Sequence, residues 1–269
     1  KMNRTRLMTC FLIIFDFLDR MTNIINEARI NQIITFLKSL KIRSKRFSEI
    51  INTQNISLIE DCNQAFIHSS NNKIINYEKL EFFGDAVLRL AASNFIEKKY
   101  PQMSVGEMSE LRAQIVSDEW LIKLGKKIGI EKLIIKGPKA VGDINSKNTI
   151  IGEATEALIG AIYKCFNSIQ EINLWLDDIW EEDSEIILQS PYKFKAKTVL
   201  QEWCQSKGFD LPMYKIIENS KNNGDPKRFS CDIFIEGLKE SSAFGKSHKQ
   251  AETNAARDLI EKFMNIGKI

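Results

Sequence analysis

The chain has 269 residues, 43% hydrophobic and 27% charged, with 13 Gly and 5 Pro. That composition excludes collagen-like and low-complexity chains and leaves room for one or two globular domains. The net charge is only +3, but residues 191–269 carry 14 basic against 10 acidic side chains while the preceding 190 carry 24 against 25. A basic tail behind a near-neutral body suits a polyanion-binding module and equally a solvated lysine face.

Five cysteines (Cys10, Cys62, Cys165, Cys204, Cys231) are odd in number and scattered, with no CxxC pair. They argue against a disulfide framework or a cysteine zinc site, and point to a reducing, cytoplasmic setting. With His68 and His248 the only histidines, HExxH zinc chemistry is excluded, and a Ser-His-Asp triad or a two-histidine ribonuclease is disfavoured. Any catalysis must rest on carboxylates. No run reaches the roughly 18 apolar residues of a membrane-spanning helix, so no membrane partner is expected, nor any organic cofactor.

Residues 1–20 have a basic start and an apolar run from Leu7 to Leu18 broken by Asp16, without a small-residue cleavage site. An over-extended reading frame before Met21, a targeting segment and a packed helix all remain open. From residue 27 to 180 helix follows helix. Ile30, Ile33, Ile34, Leu37 and Leu40 recur at three- and four-residue spacing, and similar patterns run over 79–99, 104–128, 150–166 and 170–180. Near Ser190-Pro191 the character changes. A helix over 196–206 precedes strand-like pieces at 213–217, 229–235 and 241–244, and a helix over 247–264 closes the chain. The expected fold is an all-α domain over 21–187 followed by a small α-β-β-β-α domain over 191–266.

Glu78, Glu81 and Asp85 stand at i, i+3 and i+7, within a roughly 60° arc of one helix face. Phe83, Val87, Leu90 and Ala91 are expected to face the core. A second helix offers Glu153 and Glu156 at i, i+3. Two such faces opposed would repel unless a cation lay between them. Oxygen donors without histidine or thiolate suit Mg²⁺, with Mn²⁺ as a substitute, and phosphodiester hydrolysis is chemistry such an ion supports. A solvated acidic face gives the same spacing.

The words themselves carry more. YEKLEFFGDAVLRL resembles the NERLEFLGDAVL block of the ribonuclease III family. His68-Ser69 stands where that family has an HxS element, MSELRAQIV resembles its LSxxRAxLV stretch, and EATEALIGAIY its DAxEALIGAIY helix. Residues 192–264 are similar to the double-stranded-RNA-binding domain that follows in bacterial members. The resemblance implies a nuclease-domain fold, a homodimer, and Mg²⁺-dependent hydrolysis of double-stranded RNA leaving 5′-phosphate and 3′-hydroxyl ends. A role in processing ribosomal and messenger precursors goes with it. It further implies that Glu81, Asp85 and Glu156 ligate the ion, with Glu78 at the edge near the RNA. Glu153 stands where most members have Asp, and would bind after a small rotamer change or through water. Phe82 and Gly84 would lie at the dimer contact, a ring to insert and a small residue for close approach, although plain core packing also suits Phe82.

In the second domain the resemblance places Gln201 and Glu202 over one minor groove and the 222–228 turn in the next. Lys246, Ser247, His248 and Lys249 would span the phosphates between. Where members often have a turn histidine this chain has Asp225, or Lys227 if the loop is shortened. The usual KKxAK reads His248-Lys249-Gln250-Ala251-Glu252. His68 reads as a hydrogen-bonded core or helix-end histidine, and Trp120, Trp175 and Trp180 as core or interface. The rival readings are an RNA-binding protein on an inactive nuclease scaffold, and a structural partner for an active subunit. Retention of a carboxylate at every position favours the enzyme.

Overall fold

The computed structural model describes residues 25–138, 146–189, 195–222 and 225–267. The extension over 1–20 lies outside the described residues. The chain divides into two compact units, 1–180 and 181–269.

The first unit is helical, as its periodicity requires: α1 (Glu27–Ser39), α2 (Lys45–Asn52), α3 (Ile56–Ala65), α4 (Glu78–Lys99), α5 (Val105–Ile115), α6 (Asp118–Ile128), α7 (Ser146–Phe166) and α8 (Gln170–Leu188), with a short 3₁₀ turn at Ile130–Lys132. Asn26, Ser44, Asn55, Ser104 and Ser117 each accept a backbone N–H at a helix start, and Ser104 with Glu107 completes a reciprocal capping box. Ser117 explains one difference from expectation. Residues 104–128 form two helices rather than one, because Ser117 caps α6 through the Trp120 N–H at 3.2 Å. Helix α7 is buried on almost every side and packs against α3, α4, α6 and the 3₁₀ turn. It is the axis of the unit. Trp120, Trp175 and Trp180 are core residues, and the Trp180 indole donates to the Ile115 carbonyl at 3.0 Å.

The face of α4 departs from expectation. Val87 and Ala91 are buried, but Phe83 is 41% and Leu90 55% exposed, beside Phe82 at 83%. Helices α3, α5 and α7 cover the other side of α4, leaving this apolar stripe open.

In the second unit α9 (Ala196–Ser206) and α10 (His248–Asn265) flank an antiparallel meander of β1 (Met213–Glu218), β2 (Phe229–Ile235) and β3 (Leu238–Gly245). The period-two pattern of β2 sends Phe229, Cys231, Ile233 and Ile235 into a core with Leu200, Leu259 and Phe263. Glu236 and Gly237, both at positive φ, make the two-residue turn between β2 and β3. Gly245 lets β3 run against α10, since a Cβ there would sit 2.5 Å from the Ala251 nitrogen.

Candidate active site

Two glycines bring the acids together. A Cβ on Gly84 of α4 would lie 1.9 Å from the Glu156 carbonyl oxygen, and one on Gly160 of α7 would lie 2.3 Å from the Leu80 carbonyl oxygen. The two helices therefore touch backbone to backbone. The residues flanking that crossing, Glu81 and Asp85 on α4 and Glu153 and Glu156 on α7, come to line one crevice. This corrects the expected role of Gly84. It is buried against α7 of its own chain, whereas Phe82 projects outward.

The crevice opens into a cleft of about 490 Å³ lined by His68, Ser69, Tyr77, Glu78, Glu81, Phe82 and Glu153. Burial, then the charges of Glu153, Glu78 and Asp85, push the Glu81 carboxyl up to about 7. Burial, then Asp85, Glu81 and Asp118, push Glu156 up to about 8, with Arg89 pulling the other way. The charge of these carboxylates, half removed from water and facing one another, is only partly offset by Arg89.

Their neighbours were only partly legible in the sequence. The Arg89 Nε donates to both Asp85 oxygens, at 2.8 and 2.9 Å, an i, i+4 pair that spacing alone could have suggested. Asp118 reaches the crevice from the start of α6, and no sequence signal connects it to Glu156. The Tyr77 hydroxyl donates to the Glu153 carboxylate. Burial and that acceptor raise the phenol far above its ordinary value, so it stays a donor. His68 packs edge-on against the Tyr77 ring, with centroids 5.5 Å apart. Its Nδ1 accepts the Ser70 backbone N–H at 3.1 Å and lies 2.6 Å from the Ser70 hydroxyl, which assigns the neutral ring's proton to Nε2. His68 is hydrogen-bonded, as expected, but it is half-buried in the cleft wall rather than in the core.

The all-oxygen donor set has the chemistry a hard divalent ion prefers. The side chains are not convergent: among the described residues, no three His, Cys, Asp or Glu side chains are placed to hold one ion. Both Asp85 oxygens are bound by Arg89, whereas Tyr77 engages only one of the two Glu153 oxygens.

In the second unit Gln201, Glu202, Lys227, Lys246, Ser247, His248 and Lys249 are all exposed. Ser247 caps α10 by accepting the Gln250 N–H at 3.2 Å. His248 stands edge-on to Phe229, with centroids 4.4 Å apart. Asp225 accepts the Lys227 N–H at 2.8 Å and so shapes its own turn, while the Lys227 ammonium lies 5.5 Å from the Phe244 ring centroid. Glu252, where the RNA-binding pattern has lysine, pairs at 2.5 Å with Lys197 of α9.

Comparison with known proteins agrees with this architecture. Residues 60–172 match the family model for ribonuclease-III-like domains, and residues 196–263 match the double-stranded RNA binding motif. The chain is 42% identical over 243 residues to Ribonuclease 3 of Prochlorococcus marinus, covering 90% of this chain and 97% of that one. The chain belongs to the ribonuclease III family. A second Ribonuclease 3 of a Nostoc species is 33% identical over 72% of this chain and 80% of its own. A solved ribonuclease III nuclease domain from Campylobacter jejuni is 25% identical, covering 55% of this chain and 92% of its own, with a TM-score of 0.42. This chain sets a helical ribonuclease-III-like unit before a double-stranded-RNA-binding unit. Among the described residues no helix is long and apolar enough to cross a membrane.

Proposed function

We propose that this ribonuclease III hydrolyses double-stranded RNA as a homodimer, with Glu81, Asp85, Glu153 and Glu156 holding Mg²⁺, for which Mn²⁺ can substitute. The observation that carries the reading is the crowding of carboxylates between α4 and α7, only partly offset by Arg89, where Glu81 and Glu156 are pushed up to about 7 and 8. A bound divalent ion would supply both the missing positive charge and an activated water. Glu78, exposed at the first turn of α4, sits at the rim, where an RNA backbone would enter. The open cleft admits a polymer rather than enclosing a small molecule. Water as nucleophile leaves 5′-phosphate and 3′-hydroxyl ends and requires no histidine pair.

The exposed stripe of Phe82, Phe83 and Leu90 supports the dimer, since burying such rings between copies removes apolar surface from water. Phe82 would be the inserted ring. In an RNA-binding domain that we place at 191–266, after a nuclease domain of 21–187, Gln201 and Glu202 would meet one minor groove and Lys227 the next. Lys246, Ser247, His248 and Lys249 would meet the phosphates between, helped by the N-terminal end of α10. Structured ribosomal and messenger precursors in the cytoplasm are the substrates this chemistry suits.

Cleavage of a long labelled RNA duplex with and without Mg²⁺, beside Glu156→Gln, tests the reading. Mg²⁺-dependent cuts with 5′-phosphates, lost in the variant, are expected. Duplex binding without cutting in either Mg²⁺ or Mn²⁺ would replace the enzyme with an RNA-binding protein on a nuclease scaffold.

A further inference from the structure

We propose that Tyr77 is a positioning residue for Glu153, its hydroxyl holding one carboxylate oxygen so that the other is presented to the acidic crevice. Tyr77 does not cap α4 with its side chain; Asn76 does that work by accepting the Glu78 N–H at 2.9 Å. The phenol instead reaches across to α7. Its ring is fixed from several directions. The Tyr77 N–H donates to the Ile67 carbonyl at 3.0 Å, and its own carbonyl accepts the Glu81 N–H at 2.8 Å. His68 stands against the ring and is itself held by Ser70, whose hydroxyl accepts the Gly137 N–H at 3.0 Å. With only 2% of its surface exposed, Tyr77 has nowhere else to turn.

The two residues are also among the positions where this chain departs from the family words, with Lys79, Phe83, Met108 and Ile115. Tyr77 stands where NERLEFLGD has Asn, and Glu153 where DAxEALIGAIY has Asp. They lie 76 positions apart and meet in one hydrogen bond. A glutamate has one more rotatable bond than aspartate, so its carboxylate is less confined by its own backbone. A buried donor on one oxygen removes that freedom, as outer partners of ligating groups do. Tyr77 and Glu153 therefore form a compensating pair: the longer acid is usable because the tyrosine aims it.

The proposal rests on the crevice being a divalent-ion site, and its test separates the two ideas. Mn²⁺ binding to the full chain without RNA is measured by calorimetry for the unsubstituted protein, Tyr77→Phe, Glu153→Asp and the double variant. Tyr77→Phe is expected to weaken Mn²⁺ by roughly tenfold. In the Glu153→Asp background Tyr77→Phe should cost little, because the shorter acid no longer meets the phenol. Affinity for an RNA duplex in EDTA should be unchanged by Tyr77→Phe. Losses that multiply, or wild-type Mn²⁺ affinity in Tyr77→Phe, would overturn the pairing while leaving the ion site intact. An unsubstituted chain that binds no Mn²⁺ would overturn the ion site, and the pairing with it.

Discussion

Glu156→Gln should stabilise the protein while abolishing its chemistry. The folded-state values of Glu81 and Glu156, about 7 and 8, both lie above the ordinary 4.5. The folded chain thus retains protons that the unfolded chain has released. The stability this confers is complete below pH about 4.5, and is lost as pH rises through about 7 for Glu81 and about 8 for Glu156. For Glu156 the gap from 4.5 corresponds at most to about 5 kcal/mol. The cleft is open to solvent, and water screens much of the repulsion, so about 2 kcal/mol is the expected cost at pH 8.5. Removing the charge while keeping the shape should raise the thermal midpoint in EDTA by roughly 4–8 °C at pH 8.5. At pH 4 the two proteins should melt together. Mg²⁺ should raise the wild-type midpoint and move that of the variant much less, since one oxygen ligand is gone. Scanning calorimetry across pH, with and without Mg²⁺, checks each arm. A variant melting at or below wild type at pH 8.5 would refute the account of the crevice as a store of unrelieved charge.

Gly84→Ala places a Cβ where the structure leaves 1.9 Å to the Glu156 carbonyl oxygen. The α4–α7 crossing must spread, at a cost of roughly 2–4 kcal/mol read from urea unfolding; an unchanged midpoint would mean that the helices do not touch there. Phe82→Asp removes an exposed ring, so the thermal midpoint of dilute protein should hold while sedimentation shifts from dimer to monomer; a persistent dimer would place the contact elsewhere. Lys249→Ala should weaken binding of RNA duplexes of every sequence alike and lower the salt slope of log Kd by about 1. A sequence-dependent loss would show that Lys249 reads bases rather than phosphates.

Much of this molecule is legible in its sequence because local rules and tertiary structure agree. Strand β2 alternates apolar and polar residues, and its burial alternates with it. Five Ser or Asn caps announce helix starts, although Ser117 could be recognised as one only by the turn it creates. The carboxylates fall on one face of each helix by spacing alone. What spacing does not contain is which two faces meet, and at what distance. That is set by Gly84 and Gly160, and a small residue suits a contact within one chain as well as one between copies. For this reason Gly84 was expected outside and is found inside.

The apolar face of α4 fails in the complementary sense. Phe83 and Leu90 were assigned to the core because a core and an interface between copies use the same residues. Only the neighbouring helices decide between them, and in this chain they cover Val87 and Ala91, meet Phe83 partly through Tyr163 of α7, and leave Phe82 and Leu90 bare. The two misreadings have one cause. The α4 helix is asked to serve two packings at once, with α7 on one side and open surface on the other, and the acids sit on the seam between them. Changes that shift α4 against α7 must therefore move Glu81 and Asp85 relative to Glu153 and Glu156 even when no acid is touched. A divalent ion that tolerates only narrow geometry would register such shifts before stability does.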